Sequence, residues 1–299
     1  MTRLEVTKTH KLYINGQFPR SESGRSLIVK DSKGGTLAHA CQASRKDLRD
    51  AVVAARGAVD GWQKRSAYNR GQILYRMAEM MEAKRQEFVE LLENAPRVPA
   101  KPSRSTKSRM SADAEVTASI DRLIAFAGWA DKFSQVLGCN NSVNGPYYNF
   151  TVAEGTGVTA VVAPDSPSLI GLVSLVAPAV CSGCTVVALG SEREPLTTSV
   201  LGEVCGTSDV PAGVINLLTG IRSELVPQIA EHRDIDAVVG ANLGADQSAA
   251  LRHGASNNVK RVAILDVPPD QWLDSELLES PWTIERTVEM KTIWHPSAS

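Results

Sequence analysis

The amino-acid sequence predicts an α/β fold, with a parallel sheet covered by helices on both faces and an extended β arm beside it. One observation is a series of short apolar runs of β type, separated by helical segments of ordinary length. Such alternation implies right-handed crossovers between parallel strands. The other is a pair of strands of alternating polarity that lie far apart in the chain. The apolar runs are Val158–Ala163, Thr185–Leu189, Val214–Leu218, Ala237–Gly240 and Val259–Leu265.

The chain before these runs is predicted to be mainly helical. After a strand that ends in a tight turn at Asn15-Gly16, Ser44 and Asp47 have the spacing of an N-terminal capping box. Apolar residues at helical spacing follow, and two more helices are expected over about Asn69 to Glu93 and about Ala112 to Gln135.

The segment 94–111 between the last two helices is rich in proline, serine and basic residues. One interpretation is a basic loop that docks on an acidic partner. The other is a solvated, flexible connection, which we favour because a single short basic run stands in a neutral chain.

The composition excludes several classes of protein. The chain has 299 residues, a formal net charge of −1 and 43% hydrophobic residues, so no global field attracts nucleic acid or an anionic membrane. The longest apolar stretch, Leu169 to Val180, is too short and interrupted to span a bilayer. Five cysteines, an odd number, do not suggest a disulfide scaffold. We therefore expect a reduced, cytoplasmic protein with no nucleic-acid or membrane partner.

Two segments are predicted to form the β arm. One strand, within about residues 144–154, includes Tyr147 to Val152, and the other runs from Thr287 to Trp294 near the end of the chain. We therefore divide the chain into a domain over 1–265 that carries the first arm strand, an irregular bridge over 266–282, and a C-terminal arm strand within 283–299.

These segments resemble the aldehyde dehydrogenase superfamily. The resemblance is carried by LYINGQF, by RGQILYRMAEMME, by the stretch from GVTAVVAPDSPS to VPAGVINLLTG, and by VEMKTIW. The motifs GPYYNFTVAEGTGV and SPWTIERTVEMKTIWHP are most similar to the truncated, catalytically deficient second half of family-16 aldehyde dehydrogenases. The resemblance implies a Rossmann-like domain that binds NAD(P) and a last strand that works in oligomerisation.

Aldehyde oxidation requires a thiolate nucleophile, an oxyanion donor and a carboxylate base. In the family the nucleophile lies in a separate catalytic domain after the fifth sheet strand. Here only residues 266–279 separate Leu265 from the Ser280-Pro281-Trp282 lead-in to the last strand, and no cysteine follows Cys205. Ser166 stands at the place of the oxyanion asparagine and Leu265 at that of the general base. We expect no catalytic residues and no aldehyde oxidation by the chain alone.

The cofactor positions that the resemblance implies are only partly kept. Leu189 replaces the ribose-binding lysine, while Ser191 and Glu192 remain beside it, and Glu192 could still bind a ribose diol. The pyrophosphate loop is reduced to a segment containing Gly240 and Gly244, where a helix N-terminus still offers amides to an anion. No cofactor is expected, and NAD(P) binding is possible but weak.

Two other patterns are assigned structural roles. Cys181 and Cys184 form a CxxC, but no second pair accompanies them, and Gly183 between them is explained as a helix terminator. The histidines share no ligand spacing, so no metal site is expected.

The leading hypothesis for function is a non-catalytic subunit that scaffolds or regulates a full-length aldehyde dehydrogenase, bound by strand addition to its arm. An enzyme that acts through Cys184, an NAD(P)-dependent aldehyde dehydrogenase with a non-standard site, is the first alternative. A nucleotide-binding sensor that uses the Rossmann-like crevice is the second. Pairing of the arms into a homodimer also stays open.

Overall fold

The computed structural model describes residues 6–95 and 110–297. Residues 96–109 of the predicted basic connection lie outside this part, so that prediction is not tested. The strands are β1 Thr9–His10, β2 Ser26–Lys30, β3 Thr36–Cys41, β4 Cys139–Asn141, β5 Tyr147–Gly155, β6 Val158–Val162, β7 Thr185–Leu189, β8 Ile215–Leu218, β9 Ala237–Ala241, β10 Arg261–Leu265 and β11 Val288–Pro296. The helices are α1 Arg45–Gln63, α2 Ala67–Ala83, α3 Arg85–Asn94, α4 Ala112–Trp129, α5 Phe133–Leu137, α6 Ser168–Cys181, α7 Pro195–Gly206, α8 Arg222–Glu231, α9 Ala245–Ser256 and α10 Ser275–Leu278, and a 3₁₀ helix spans Pro281–Thr287.

The predicted parallel sheet is confirmed. Its five strands follow the order β10-β9-β6-β7-β8, and every neighbouring pair is parallel. Every residue of β6, β7, β8 and β9 is buried, which explains why these strands are apolar without alternation. The chain runs outward from β6 to β7 and β8, and it then returns to place β9 on the other side of β6. This reversal opens a crevice at the carboxyl ends of the strands.

Helices cover both faces of the sheet. On one face, α1 and α8 pack on β6, β7 and β9 through an apolar cluster. On the other, α6 is buried along its whole length between the sheet and a layer that includes α2 and α4. The capping box that begins α1 is present, since Ser44 Oγ accepts a hydrogen bond from the Asp47 amide and the Asp47 carboxylate accepts one from the Ser44 amide.

Two predicted helices are each divided in two, which corrects the sequence prediction. The expected helix over Asn69 to Glu93 breaks at Lys84, whose Nζ donates to Glu203 on α7 at 2.7 Å and to Glu87 at 2.8 Å. The expected helix over Ala112 to Gln135 ends at Trp129, and α5 begins four residues later. Apolar spacing continues through both breaks, so periodicity alone did not reveal them.

The bridge over 266–282 is more regular than predicted, because it contains α10 and the start of the 3₁₀ helix. Trp272, Leu278 and Ile284 are buried in the same apolar cluster as Val239 and Ala241 of β9. Part of the sheet face beside α6 is therefore covered by the bridge. Between β10 and β11 the structure places only these short elements.

The two arm strands pair with each other, as an antiparallel ladder from Val288 opposite Gly155 to Pro296 opposite Tyr147. A short strand that the sequence did not predict, β4, adds to β5 and gives the order β11-β5-β4. The last strand begins at Val288, one residue later than expected, because Thr287 still belongs to the 3₁₀ helix.

A second small sheet, with the order β1-β3-β2, was also missed. It lies beside the predicted turn, which is confirmed by positive φ angles at Asn15 and Gly16 and by reciprocal hydrogen bonds between Ile14 and Gln17. Tyr13 pairs with Leu217 of β8, so this N-terminal segment closes one edge of the parallel sheet.

Candidate cofactor crevice

The candidate site is the crevice at the carboxyl ends of β6, β7, β8 and β9. A loop after each strand contributes to it: 163–167 after β6, 190–194 after β7, 219–221 after β8 and 242–244 after β9. Ligands of open α/β sheets bind in this position. The crevice is therefore where the predicted cofactor residues should meet.

An ion pair between Asp165 and Arg222 lies in the crevice. Arg222 Nη1 lies 3.1 Å from Asp165 Oδ2, and Nη2 donates to the carbonyl of Ala163. The arginine side chain is 5% exposed. Burial lowers the pKa of Arg222, and the charges of Asp165 and Glu192 oppose that shift. A guanidinium joined to the β6 loop in this way links the ends of β6 and β8.

Glu192, the predicted ribose contact, is bound within the protein. Its Oε2 accepts a hydrogen bond of 2.8 Å from the Arg222 amide, the first residue of α8, where a carboxylate is favoured by the free amides and the helix dipole. Its own amide donates to Asp165 Oδ1 at 3.0 Å. Ser191 is fully buried, and its hydroxyl donates to the Asp165 carbonyl at 2.9 Å. Both residues therefore hold the β7 loop to the β6 loop.

The start of α6 is also satisfied by buried carboxylates. Glu115 of α4 accepts a hydrogen bond of 2.9 Å from the Leu169 amide, and Ser168 Oγ donates to Glu194 Oε2 at 2.6 Å. The amides that begin the helix beside the crevice thus already bind an anionic group of the protein.

The turn from β9 to α9 contains the two predicted glycines. Gly240 is buried, and a Cβ there would lie 2.7 Å from Leu243 Cδ1, so a larger residue would make the leucine side chain move. Gly244 is exposed and forms the N-cap of α9. Asn242 holds the turn to β10 by donating its amide to the Leu265 carbonyl at 2.8 Å. Asp246 in the first turn of α9 would repel an anion at this helix N-terminus.

The comparisons identify the family of this crevice-bearing domain. A model of the "Aldehyde dehydrogenase family" matches residues 18–263. The chain belongs to the aldehyde dehydrogenase family. It is 30% identical over 266 residues to aldehyde dehydrogenase family 2 member B4, mitochondrial, of Arabidopsis thaliana, covering 87% of this chain and 47% of the relative. It is 31% identical over 270 residues to retinal dehydrogenase 2 of Gallus gallus, covering 87% and 49%.

The fold agrees with solved aldehyde dehydrogenase structures. An NAD+ complex of the aldehyde dehydrogenase from Bacillus cereus superposes with a TM-score of 0.76 at 25% identity, covering 86% of this chain and 51% of that one. The chain spans about half the length of the relatives it matches. The resemblance and the Rossmann-like fold expected from the sequence are therefore confirmed.

The residues of the crevice do not fit the dinucleotide contacts that the aldehyde dehydrogenase resemblance implies. Leu189 stands where the family has a lysine and is 1% exposed. Glu192 binds the start of α8, and Asp246 places a negative charge at the start of α9. A ribose would have to displace an internal hydrogen bond of Glu192, and a pyrophosphate would approach a carboxylate. Weak or absent NAD binding stays a prediction.

The positions of the aldehyde dehydrogenase catalytic groups are also placed by the structure. Ser166 is exposed on the loop after β6. Leu265 ends β10, and its partly buried side chain packs against the apolar cluster on the α6 side. A leucine side chain has no atom that accepts a proton, so this position offers no general base.

The cysteines lie away from the crevice or inside the core. Cys184 directly precedes β7 and is fully buried, which places it at the amino-terminal end of the sheet, roughly 15 Å from the crevice. Its Sγ donates to the Thr287 carbonyl at 3.1 Å. Burial raises the pKa of the Cys181 thiol to about 12, the opposite of the shift that activates a redox cysteine. All five cysteines are free, and only Cys139 is exposed.

Two further observations concern the described residues as a whole. Within residues 6–95 and 110–297, no three histidine, cysteine or acidic side chains gather as metal ligands could. No helix in the same ranges is both long and apolar enough to cross a membrane.

Sequence reasoning missed the ion pair between Arg222 and Asp165 in the crevice. The only signal was position: each residue closely follows a sheet strand, at the edge where strand ends meet.

Proposed function

We propose that this chain is a non-catalytic aldehyde dehydrogenase-fold subunit that scaffolds or regulates a full-length aldehyde dehydrogenase. The observation that carries the proposal is the open edge of β11. This nine-residue strand pairs with β5 on one side, and no described strand pairs with its other side. A long, open strand edge is the template for strand addition.

The side chains of β11 suit a protein contact. Trp294 is 59% exposed and Met290 is 43% exposed, and both lie on the same face of the strand because they are four positions apart. Tyr147 packs edge-on against Trp294, with ring centroids 5.8 Å apart. Exposed Trp, Met and Tyr are the residue types enriched in protein interfaces.

The chemistry of the crevice supports a role without catalysis. Leu265 offers no base, Cys184 is buried at the opposite end of the sheet, and Glu192 is bound internally. The chain segment that connects β10 to β11 forms the bridge rather than a separate domain. A partner that supplies a complete active site and a free sheet edge would complement each of these features.

Co-expression with a full-length aldehyde dehydrogenase and native mass spectrometry test the proposal. We expect a defined hetero-oligomer that is lost when Met290 and Trp294 are both replaced by serine. The matched control replaces Tyr68 and Tyr75 of α2, which are similarly exposed at 69% and 51%, by serine and should keep the complex. No complex with the unchanged chain, or loss in both variants alike, would reject the proposal.

A further inference from the structure

The open edge of β11 is also complementary to itself. Lys291 would protect such an edge by its charge, but its Nζ lies 3.1 Å from Glu154 Oε2 on β5. Pro296, the other protective residue, is the last residue of the strand. The middle of the edge is therefore accessible to another strand.

Two-fold symmetry restricts how two copies of β11 can pair. In an antiparallel pair, opposed side chains lie on the same face, so a closed, symmetric pair must be centred on one residue that faces its own copy. Centring on Thr292 pairs the whole strand, with Val288 opposite Pro296. Centring on Lys291 places two lysines opposite each other, and centring on Ile293 places Lys291 opposite His295. Centres nearer the ends give shorter ladders.

The Thr292 register makes three of the opposed pairs favourable. Glu289 faces His295 of the second copy, which gives opposite charges when the imidazole is protonated. Met290 faces Trp294, a sulfur–aromatic contact that covers two exposed apolar side chains on each chain. The aliphatic stem of Lys291 lies against Ile293. No like charges oppose each other in this register.

We propose that, in the absence of its partner, the chain self-associates through β11, antiparallel and centred on Thr292. The two arm sheets then form one continuous sheet of six strands. The inference rests on the proposed function in one respect, since self-pairing covers the edge that a full-length aldehyde dehydrogenase would use. The homodimer is then a competing state that the partner must displace.

A cysteine at the centre of the register tests the proposal on the chain alone. Directly opposed residues of an antiparallel pair have Cα atoms about 4.5–5.5 Å apart, which a disulfide spans. In a Cys139→Ser background, which removes the exposed thiol, we expect Thr292→Cys to give a disulfide-linked dimer under mild oxidation. Met290→Cys alone should not, since the two copies of residue 290 lie about 14 Å apart along the strand.

A second pair keeps the test independent of the Thr292 variant. Mixing Met290→Cys with Trp294→Cys should give the cross-linked dimer that neither gives alone, and light scattering should show the unmodified chain as a dimer. A monomer, or equal cross-linking at positions 290 and 292, would overturn the proposal.

The two proposals fail separately. Cross-linking is scored without partner, whereas the hetero-oligomer is scored by co-expression. A specific Thr292 cross-link with no hetero-oligomer would keep the homodimer and reject the subunit role. A hetero-oligomer with a monomeric free chain would do the reverse.

Discussion

Arg122 of α4 and Glu279 of the bridge form a buried ion pair, with Nε 3.3 Å from Oε1 and the arginine side chain 1% exposed. Arg122 also donates to Ser174 Oγ on α6 at 3.1 Å and to the Trp272 carbonyl at 3.2 Å. Trp129 donates its indole N–H to the Glu279 carbonyl at 2.7 Å. One guanidinium of α4 thus fastens the bridge to α6, the helix that lies on the sheet, and to α4 itself.

Replacing Arg122 by methionine should destabilise the protein strongly. Removing one partner of a buried ion pair leaves the other uncompensated, which costs roughly 3–5 kcal/mol, and Glu279 is about a quarter exposed, so we expect about 3 kcal/mol. Urea unfolding measures the loss. A control, Arg49→Met on the exposed side of α1, should change the free energy of unfolding by less than about 0.5 kcal/mol. Equal stability of the two variants would show that the bridge is not held by Arg122.

The isolated chain should bind NAD weakly or not at all. Loss of one charged ribose contact costs roughly 1.5–3 kcal/mol, which is about one to two decades of affinity. Calorimetric titration with NAD checks this expectation, and micromolar affinity would contradict it.

Glu192→Gln separates a structural from a ligand-binding role. Because the Glu192 carboxylate accepts from the first amide of α8, we expect the variant to lose about 0.5–1 kcal/mol of stability by urea unfolding. If Glu192 instead served a nucleotide, its change would leave stability unaltered and abolish NAD-dependent thermal stabilisation.

Thiol reactivity should follow burial. Cys139 is exposed, whereas Cys41, Cys181, Cys184 and Cys205 are buried. A thiol reagent should therefore modify one cysteine rapidly in the native chain and none rapidly after Cys139→Ser. Rapid modification of Cys184, with aldehyde turnover lost in Cys184→Ala, would favour the enzyme hypothesis instead.

Lys260 should give the protein a pH-dependent stability. Its Nζ donates to the carbonyls of Ile229 and His232 at the end of α8, and burial lowers its pKa to about 8, against the smaller opposing effect of Asp236. An unfolded lysine keeps its proton to about pH 10.4. Between these values the unfolded chain binds more protons, so the free energy of unfolding rises with pH.

We therefore expect the stability of the protein relative to Lys260→Met to increase between pH 7.5 and pH 9.5. The increase is at most about 1.4 kcal/mol per pH unit, measured by urea unfolding at both values. As a control for the substitution itself, the exposed Lys33→Met should change the free energy of unfolding by less than about 0.5 kcal/mol. A constant or falling difference for Lys260→Met would show that the buried ammonium keeps an ordinary pKa.

The central sheet could be predicted from the sequence because buried parallel strands are continuously apolar, and β7 begins and ends at the predicted residues. The break at Lys84 could not, since apolar spacing continues through it, and the contact of Lys84 with Glu203, distant in sequence on α7, forms only in the folded chain. The short polar strand β4 has no alternation of apolar residues, so the sequence pattern could not predict it either.

The candidate site, too, could be predicted only in part from the sequence. The replacement of the family's lysine by Leu189 and of its glutamate by Leu265 follows from residue identity alone. The internal use of Glu192 does not, because its partner Arg222 is thirty residues away in the chain and only folding brings the two together.

Hydrogen exchange of β11 tests the central claim most directly. Its amides should be compared between the unchanged chain and the Met290/Trp294 serine variant, each mixed with a full-length aldehyde dehydrogenase, because β11 of the free chain is itself proposed to pair with a second copy. We expect added protection over Val288–Pro296 in the unchanged chain, with little change in β4 at the other edge of the arm sheet. Unchanged exchange in β11, or protection confined to the crevice loops, would contradict it.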